Sequence, residues 1–265
     1  MNTRLAMYLR FALACVGLST AAHADMNIGA GASMSLGDGA LDLGCSQLVT
    51  AGSTSGSSGA FEGIANVLIL PGGSLSPGSS QLMLGGDFSD AGLFTPGTGV
   101  VSIVDACGSG TSSVSGATNF YDFVATTAIG KRLVFPANQT QGIAHALTLQ
   151  GVSGNLLQVA SSLAGQQALL NVSAAAAQSV AYVNARDDKA SGATIAPGSA
   201  ANYHSVDAGD LTNWFGSSVT GPGGGAIPVA APSLGPVGRL ALLAGVLWAV
   251  WRRRRAMVRL NISRD

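Results

Sequence analysis

Residues 85–103, GGDFSDAGLFTPGTGVVSI, followed by a polar gap and then residues 118–126, TNFYDFVAT, decide the fold. Apolar residues come in short alternating runs, as half-buried strands require, and Gly, Pro, Ser, Asn and Asp punctuate them. The same texture extends outward. Comparable runs are Ala65–Leu70, Gln81–Leu84, Lys131–Phe135, His145–Gln150 and Val180–Asn184. They recur irregularly, about every 15 to 27 residues, which is the scale of a solenoid rung. A rung buries its apolar face only against its neighbours. Gly supplies the φ > 0 of tight corners, and Asn and Asp tolerate it. These features predict an all-β solenoid. An antiparallel β-sandwich is the alternative, although two-residue hairpin signals are scarce and Asp38-Gly39 is one of few.

Departures from the strand texture are few. Helical periodicity is confined to the two ends, with a turn expected near Leu163–Leu170. Thr50–Gly59 (TAGSTSGSSG) is low-complexity and reads as a loop, and Asp25–Gly59 as a first rung or a cap.

The ends set the compartment. Arg4 and Arg10 precede an apolar Phe11–Ala22 and a small-x-small site, Ala22-His23-Ala24, which predicts a signal peptide over 1–24 and a mature start at Asp25. Ala12 stands where a lipobox before Cys15 wants Leu. At the other end, a Gly/Pro-rich linker and motif over 216–233 leads into a predicted transmembrane helix over 234–255. Its apolar core, Leu240–Trp251, is short, and Arg239 lies near enough to the end to snorkel. Trp248 and Trp251 suit an interface, Arg252, Arg253, Arg254 and Arg255 suit the cytoplasm, and 256–265 would form a cytoplasmic tail.

Ile227, Pro228 and Pro232, the apolar helix and the arginine cluster resemble the tripartite sorting tails of Gram-negative bacteria, IPTL-CTERM and PEP-CTERM. Val229-Ala230 stands where Thr-Leu is usual, and ten residues follow the arginines. The resemblance implies recognition by a membrane protease of exosortase type. Gly223-Gly224-Gly225 is also similar to tails handled by rhomboid-type proteases. The quoted rungs, with ALTLQGVSGNLLQVASS (146–162), LLNVSAAAAQSVAYVNARDDKASG (169–192) and the closing VDAGDLTNWF (206–215), resemble bacterial adhesin-like surface proteins. That resemblance covers about 65–215 and implies a right-handed parallel β-helix. The expected body is 25–215.

Charge is segregated. Between Asp25 and Ala226 there are 12 acidic residues and four basic ones, Lys131, Arg132, Arg186 and Lys189, a net of −8. Such a body argues against nucleic acid as a partner, because phosphate binding needs a basic face. Cys45 and Cys107 survive signal cleavage. They can pair in an oxidising compartment or lie as two small buried residues in different rungs.

No catalytic constellation emerges. His145 sits in an alternating run and reads as an outward strand residue rather than a general base. His204 lies near Ser205, Asp207 and Asp210, but sequence neighbours do not make a triad, and there is no GxSxG elbow. Asp87, Asp90, Asp105 and Asp122 are candidates for paired-carboxylate glycoside hydrolysis, with turn residues as the plainer reading. Asp187, Asp188, Asp207 and Asp210 have oxygen ligands suited to calcium but no EF-hand or nonapeptide pattern. Phe120, Tyr121 and Phe123 read as core rather than sugar-stacking residues. No cofactor or metal is expected.

The expectation is an exported structural or adhesin-like protein, not an enzyme. It would be anchored in the inner membrane or processed to the cell surface, with the membrane, a sorting protease and surface polysaccharide or envelope matrix as partners. The alternatives are a surface lyase or glycosidase on the same scaffold, or a mere spacer for the tail.

Overall fold

The structure, a computed structural model, describes residues 24–216. The chain winds as a parallel β-solenoid of about eight turns. Every strand ladder among the described residues is parallel, so the antiparallel sandwich is excluded; antiparallel pairing is limited to isolated bridges such as Ala137–Ala168. No α-helix occurs among the described residues, only one 3₁₀ turn at Ala200–Tyr203. The signal segment to His23, including Ala22, lies outside the described residues. So do Ile227, Pro228, Pro232, Arg252–Arg255 and the helix predicted over 234–255.

Each turn contributes to three faces. The first opens with Ser33–Leu36, Ser53–Gly56, Ser74–Ser76 and Leu93–Phe94. Asn119–Phe120, Thr140–Ile143, Ala168–Val172, Asp188–Gly192 and Leu211–Thr212 continue it. The second face stacks Ala40–Asp42, Ala60–Glu62, Gln81–Leu84, Val100–Ile103, Asp122–Thr126, Ala146–Gln150 and Ala177–Ala181. The third begins with Met26–Ile28, Leu48–Thr50, Val67–Ile69 and Phe88–Asp90. It runs on through Thr111–Ser115, Arg132–Phe135, Leu157–Ser161, Val183–Arg186 and Val206–Asp207. The step between stacked partners varies from Ser46↔Ile64 to Ala146↔Ala177, so the longest rung exceeds the spacing read from the sequence.

Alternation sets what is inside. Leu82, Leu84, Val101, Ile103, Leu147 and Leu149 point inward and are buried, while their neighbours in sequence line the outside. Phe88, Phe94, Phe120, Phe123 and Phe135 stack along the axis with centroids 4.9–5.9 Å apart. Each such side chain contributes about 1.5–3 kcal/mol by leaving water, and the column lends the stack continuity that no single rung has. Corners need left-handed backbone. Gly116 has φ +92°, and a Cβ there would collide with the Asp90 carbonyl of the rung below.

Three local expectations are corrected. Thr50–Gly59 is not a loop: Ser53–Gly56 is a strand with Thr54 facing in. The helical turn near Leu163–Leu170 is instead a tight turn, closed by Gln166 N–H donating to Leu163 O (3.1 Å), with Gly165 at φ +75°; strand Ala168–Val172 follows. The run Val180–Asn184 is broken by Tyr182 at φ 55°, which turns the chain from the second face to the third.

Cys45 and Cys107, 62 residues apart, form a disulfide with Cα atoms 5.2 Å apart. Both have positive φ (67° and 53°) and sit at irregular points: Cys45 in a register shift between Asp42 and Ser46, Cys107 in the loop after Ile103. The bond brings that loop back against an earlier turn. Closing a loop of this length stabilises by about 4 kcal/mol on the chain-entropy scale. The C45S/C107S double variant is expected to lose stability of that order. Equilibrium urea unfolding checks it, and an unchanged midpoint would refute it.

The far end is capped. Trp214 and Phe215 are buried and pack on each other (5.6 Å), Ile195 pairs with Trp214, and Tyr203 packs against Phe215. The aromatic end of VDAGDLTNWF thus closes the last of the described rungs, covering its apolar interior.

Candidate functional site

The acidic residues singled out for chemistry hold rungs together. Asp87 Oδ1 accepts from Ser113 N–H (2.7 Å). Asp90 Oδ2 accepts from Thr118 Oγ1 (3.2 Å). Asp105 accepts from Thr127 Oγ1 (2.8 Å) and Ala128 N–H (2.6 Å). Each bond crosses to the next turn. These side chains satisfy the donors at corners, where the strand ladder leaves backbone groups unpaired.

Asp187, Asp188, Asp207 and Asp210 do not converge. Asp187 accepts from Gly165 N–H, Asp207 from Gly209 N–H and Asp210 from Gln167 Nε2. Asp188 is buried and accepts from the Trp214 indole N–H (3.0 Å). Among the described residues no group of three His, Cys, Asp or Glu is placed to hold a metal ion. Ser205 Oγ takes Val183 N–H (2.9 Å) and donates to Tyr203 O (2.9 Å), while His204 caps the 3₁₀ turn and stacks on Tyr182 at 4.9 Å. Ser205, His204 and Asp207 are therefore engaged separately, without a relay among them.

Two outward-facing clusters remain. On the second face His145 is exposed, its Nδ1 is 2.7 Å from Asp122 Oδ1, and its ring lies parallel to Tyr121 at 4.6 Å. Phe120 and Phe123 are core, but Tyr121 points out and is half-buried, which corrects its expected place. A bulge between Phe120 and Asp122 turns Tyr121 outward beside the imidazole.

The second cluster is a groove on the third face, of about 360 Å³. In the outward rows Arg132, Gln158 and Asn184 stand in register, and beside them Val134, Ala160 and Arg186. Ala160 is too small to fill its place and is covered by its neighbours, 3% exposed, so it forms the floor. Arg132 and Arg186 flank it. Among the described residues Arg132 has no carboxylate within salt-bridge range, and Arg186 has only Asp187 at 3.8 Å. The Asn184 Oδ1 is shut from solvent and finds no donor. Sequence reading missed this groove because its members lie 26 residues apart, at Arg132, Gln158 and Asn184, and only the rung register aligns them.

Comparison with known protein families, with curated proteins and with solved structures finds no match.

Proposed function

We propose that this chain is an exported cell-surface or envelope-associated protein, structural or adhesin-like, whose right-handed β-helix body is sorted or anchored through its C-terminal tripartite tail. The observation that supports this reading best is how the outward polar side chains are used. Asp87, Asp90 and Asp105 stitch successive turns, leaving a long polar surface rather than a pair of free carboxylates poised over one bond. The twist of L-residue strands supports the right hand, the sense it favours for parallel crossovers. The arginine cluster after Trp251 would remain in the cytoplasm while an exosortase-type protease in the membrane handles the motif at Ile227-Pro228.

The test is the intact mass of the native protein purified from its producing cells. The expected species runs from Asp25 to about Ala226 and lacks Arg252–Arg255. A mass extending to Asp265 would mean a permanent span and overturn the sorting reading.

A further inference from the structure

We propose that the Arg132–Arg186 groove on the third face binds a sugar acid, a saccharide unit that carries both a carboxylate and free hydroxyl groups. This names a ligand class for the adhesive reading and rests on that reading only for where the ligand would be met.

Charge placement is the first argument. The body has four cations against 12 carboxylates. Lys131 is buried and Lys189 lies on the first face, so the remaining two, both arginines, flank one groove. Clustering the scarce positive charge there makes a local anion site on a body that otherwise repels anions.

Geometry is the second. Arg132 and Arg186 lie two strands and one outward row apart. Strand spacing and rise put their Cα atoms about 12 Å apart. Guanidinium side chains extended from both sides can meet over Ala160. A larger residue at 160 would fill the space that the ligand needs. Guanidinium groups present paired N–H donors that match a carboxylate. Neither arginine donates to a side chain or carbonyl within hydrogen-bond range among the described residues, and the Arg186 contact with Asp187 is long.

Donor and acceptor balance is the third, and it separates a sugar acid from a bare anion. Asn184 Oδ1 is an acceptor with no donor, and a buried acceptor left unpaired destabilises the free state. A fully ionised inorganic anion such as sulfate has no proton to donate to it. A hydroxyl next to a carboxylate, as on a uronic acid ring, would donate to Asn184 once the flanking arginines turn toward the carboxylate. Gln158 adds a second amide on the same row; its Nε2 is engaged by Leu156 O (3.1 Å), which leaves its Oε1 for another hydroxyl.

The probes are a galacturonate trimer, the neutral galactose trimer and inorganic sulfate, titrated calorimetrically at low salt into the purified mature protein. The acid trimer is expected to bind, and the neutral trimer and sulfate to bind at least tenfold more weakly. R132Q/R186Q should weaken the acid trimer tenfold or more, and N184A about threefold. K189Q, a charge removal on another face, should change it less than twofold. Thermal unfolding of each variant confirms that it is folded. No binding of the acid trimer, sulfate binding as tight as the trimer, or an equal loss in K189Q would each overturn the proposal. These outcomes are independent of the mass measurement. A chain that keeps its tail but binds the acid trimer through the arginines loses the sorting reading and keeps the groove.

Discussion

The D188N variant is expected to be more stable than the parent above pH 8, by several kcal/mol, and indistinguishable or slightly less stable near pH 4. Asp188 points into the core between Ala168 and Leu211. It is fully buried; Oδ1 accepts from Trp214 and Oδ2 has no partner. Burial pushes its pKa from 3.8 up to about 8, against a smaller opposing effect of the Trp214 hydrogen bond. The sign follows. Below pH 4 the carboxyl is protonated in both folded and unfolded chains, and its contribution is fully present. Between about 4 and 8 the unfolded chain has ionised and the folded one still holds the proton. Stability then falls by about 1.4 kcal/mol per pH unit. Above 8 both are ionised and the loss levels off. Asparagine keeps the shape and the acceptor for Trp214 but does not titrate. Subtracting its urea-unfolding curve from the parent's over pH 4–9 isolates this single proton, and parallel pH profiles would refute the assignment.

The solenoid was legible in the sequence because its physics is repetitive. Runs such as Gln81–Leu84 and Val100–Val104 are short, mostly apolar and bounded by Gly and polar residues, and the strands fall on them almost residue for residue. Where alternation used small polar residues, the signal vanished. SMSLGDGA at 33–40, STSGSSGA at 53–60 and SLSPGSSQ at 74–81 stack in register as one face and corner, yet the middle copy has no apolar residue at the inward position. Thr54 occupies it, and its Oγ1 donates to buried Thr50 Oγ1 (3.2 Å), which lets a hydroxyl replace a Leu there. Aligning the three serine-rich copies would have found that strand. The buried Asp188 and Lys131 had no such signal. Charged residues are read outward by default, and only the register reveals that these two occupy inward or enclosed positions. The groove was hidden for the same reason: each of its arginines looks like an ordinary solvated charge until the rungs are stacked.

Replacing Lys131 should be among the most damaging single changes to the fold. The side chain is 1% exposed, and Nζ donates to Gly85 O (2.6 Å), Ser109 O (2.5 Å) and Ser112 Oγ (3.1 Å). All three ammonium donors are thereby satisfied, the condition for tolerating a buried cation. Burial lowers its pKa, and the nearby charges of Asp105 and Asp87 oppose that. K131M keeps most of the volume but leaves Ser109 O without its donor, while Gly85 O and Ser112 Oγ keep the bond between them (3.2 Å). That unpaired acceptor, with the charge-assisted bonds that are lost, costs about 1–3 kcal/mol, so a net loss of about 2 kcal/mol is expected. K131A adds a cavity and should lose about 1–2 kcal/mol more. Urea unfolding followed by far-ultraviolet circular dichroism measures both, and a K131M midpoint equal to the parent's would refute the role. A second consequence is sharper. Ser109 lies two residues past Cys107, so the ammonium and the disulfide clamp the same loop from its two sides. Once reduction has freed the loop, the lysine has already lost one of its acceptors. The combined loss of K131M and C45S/C107S should therefore fall short of the sum of the separate losses by 0.5 kcal/mol or more, the scale on which residues sharing a network couple. Strict additivity would mean that the two clamps act on independent parts of the chain.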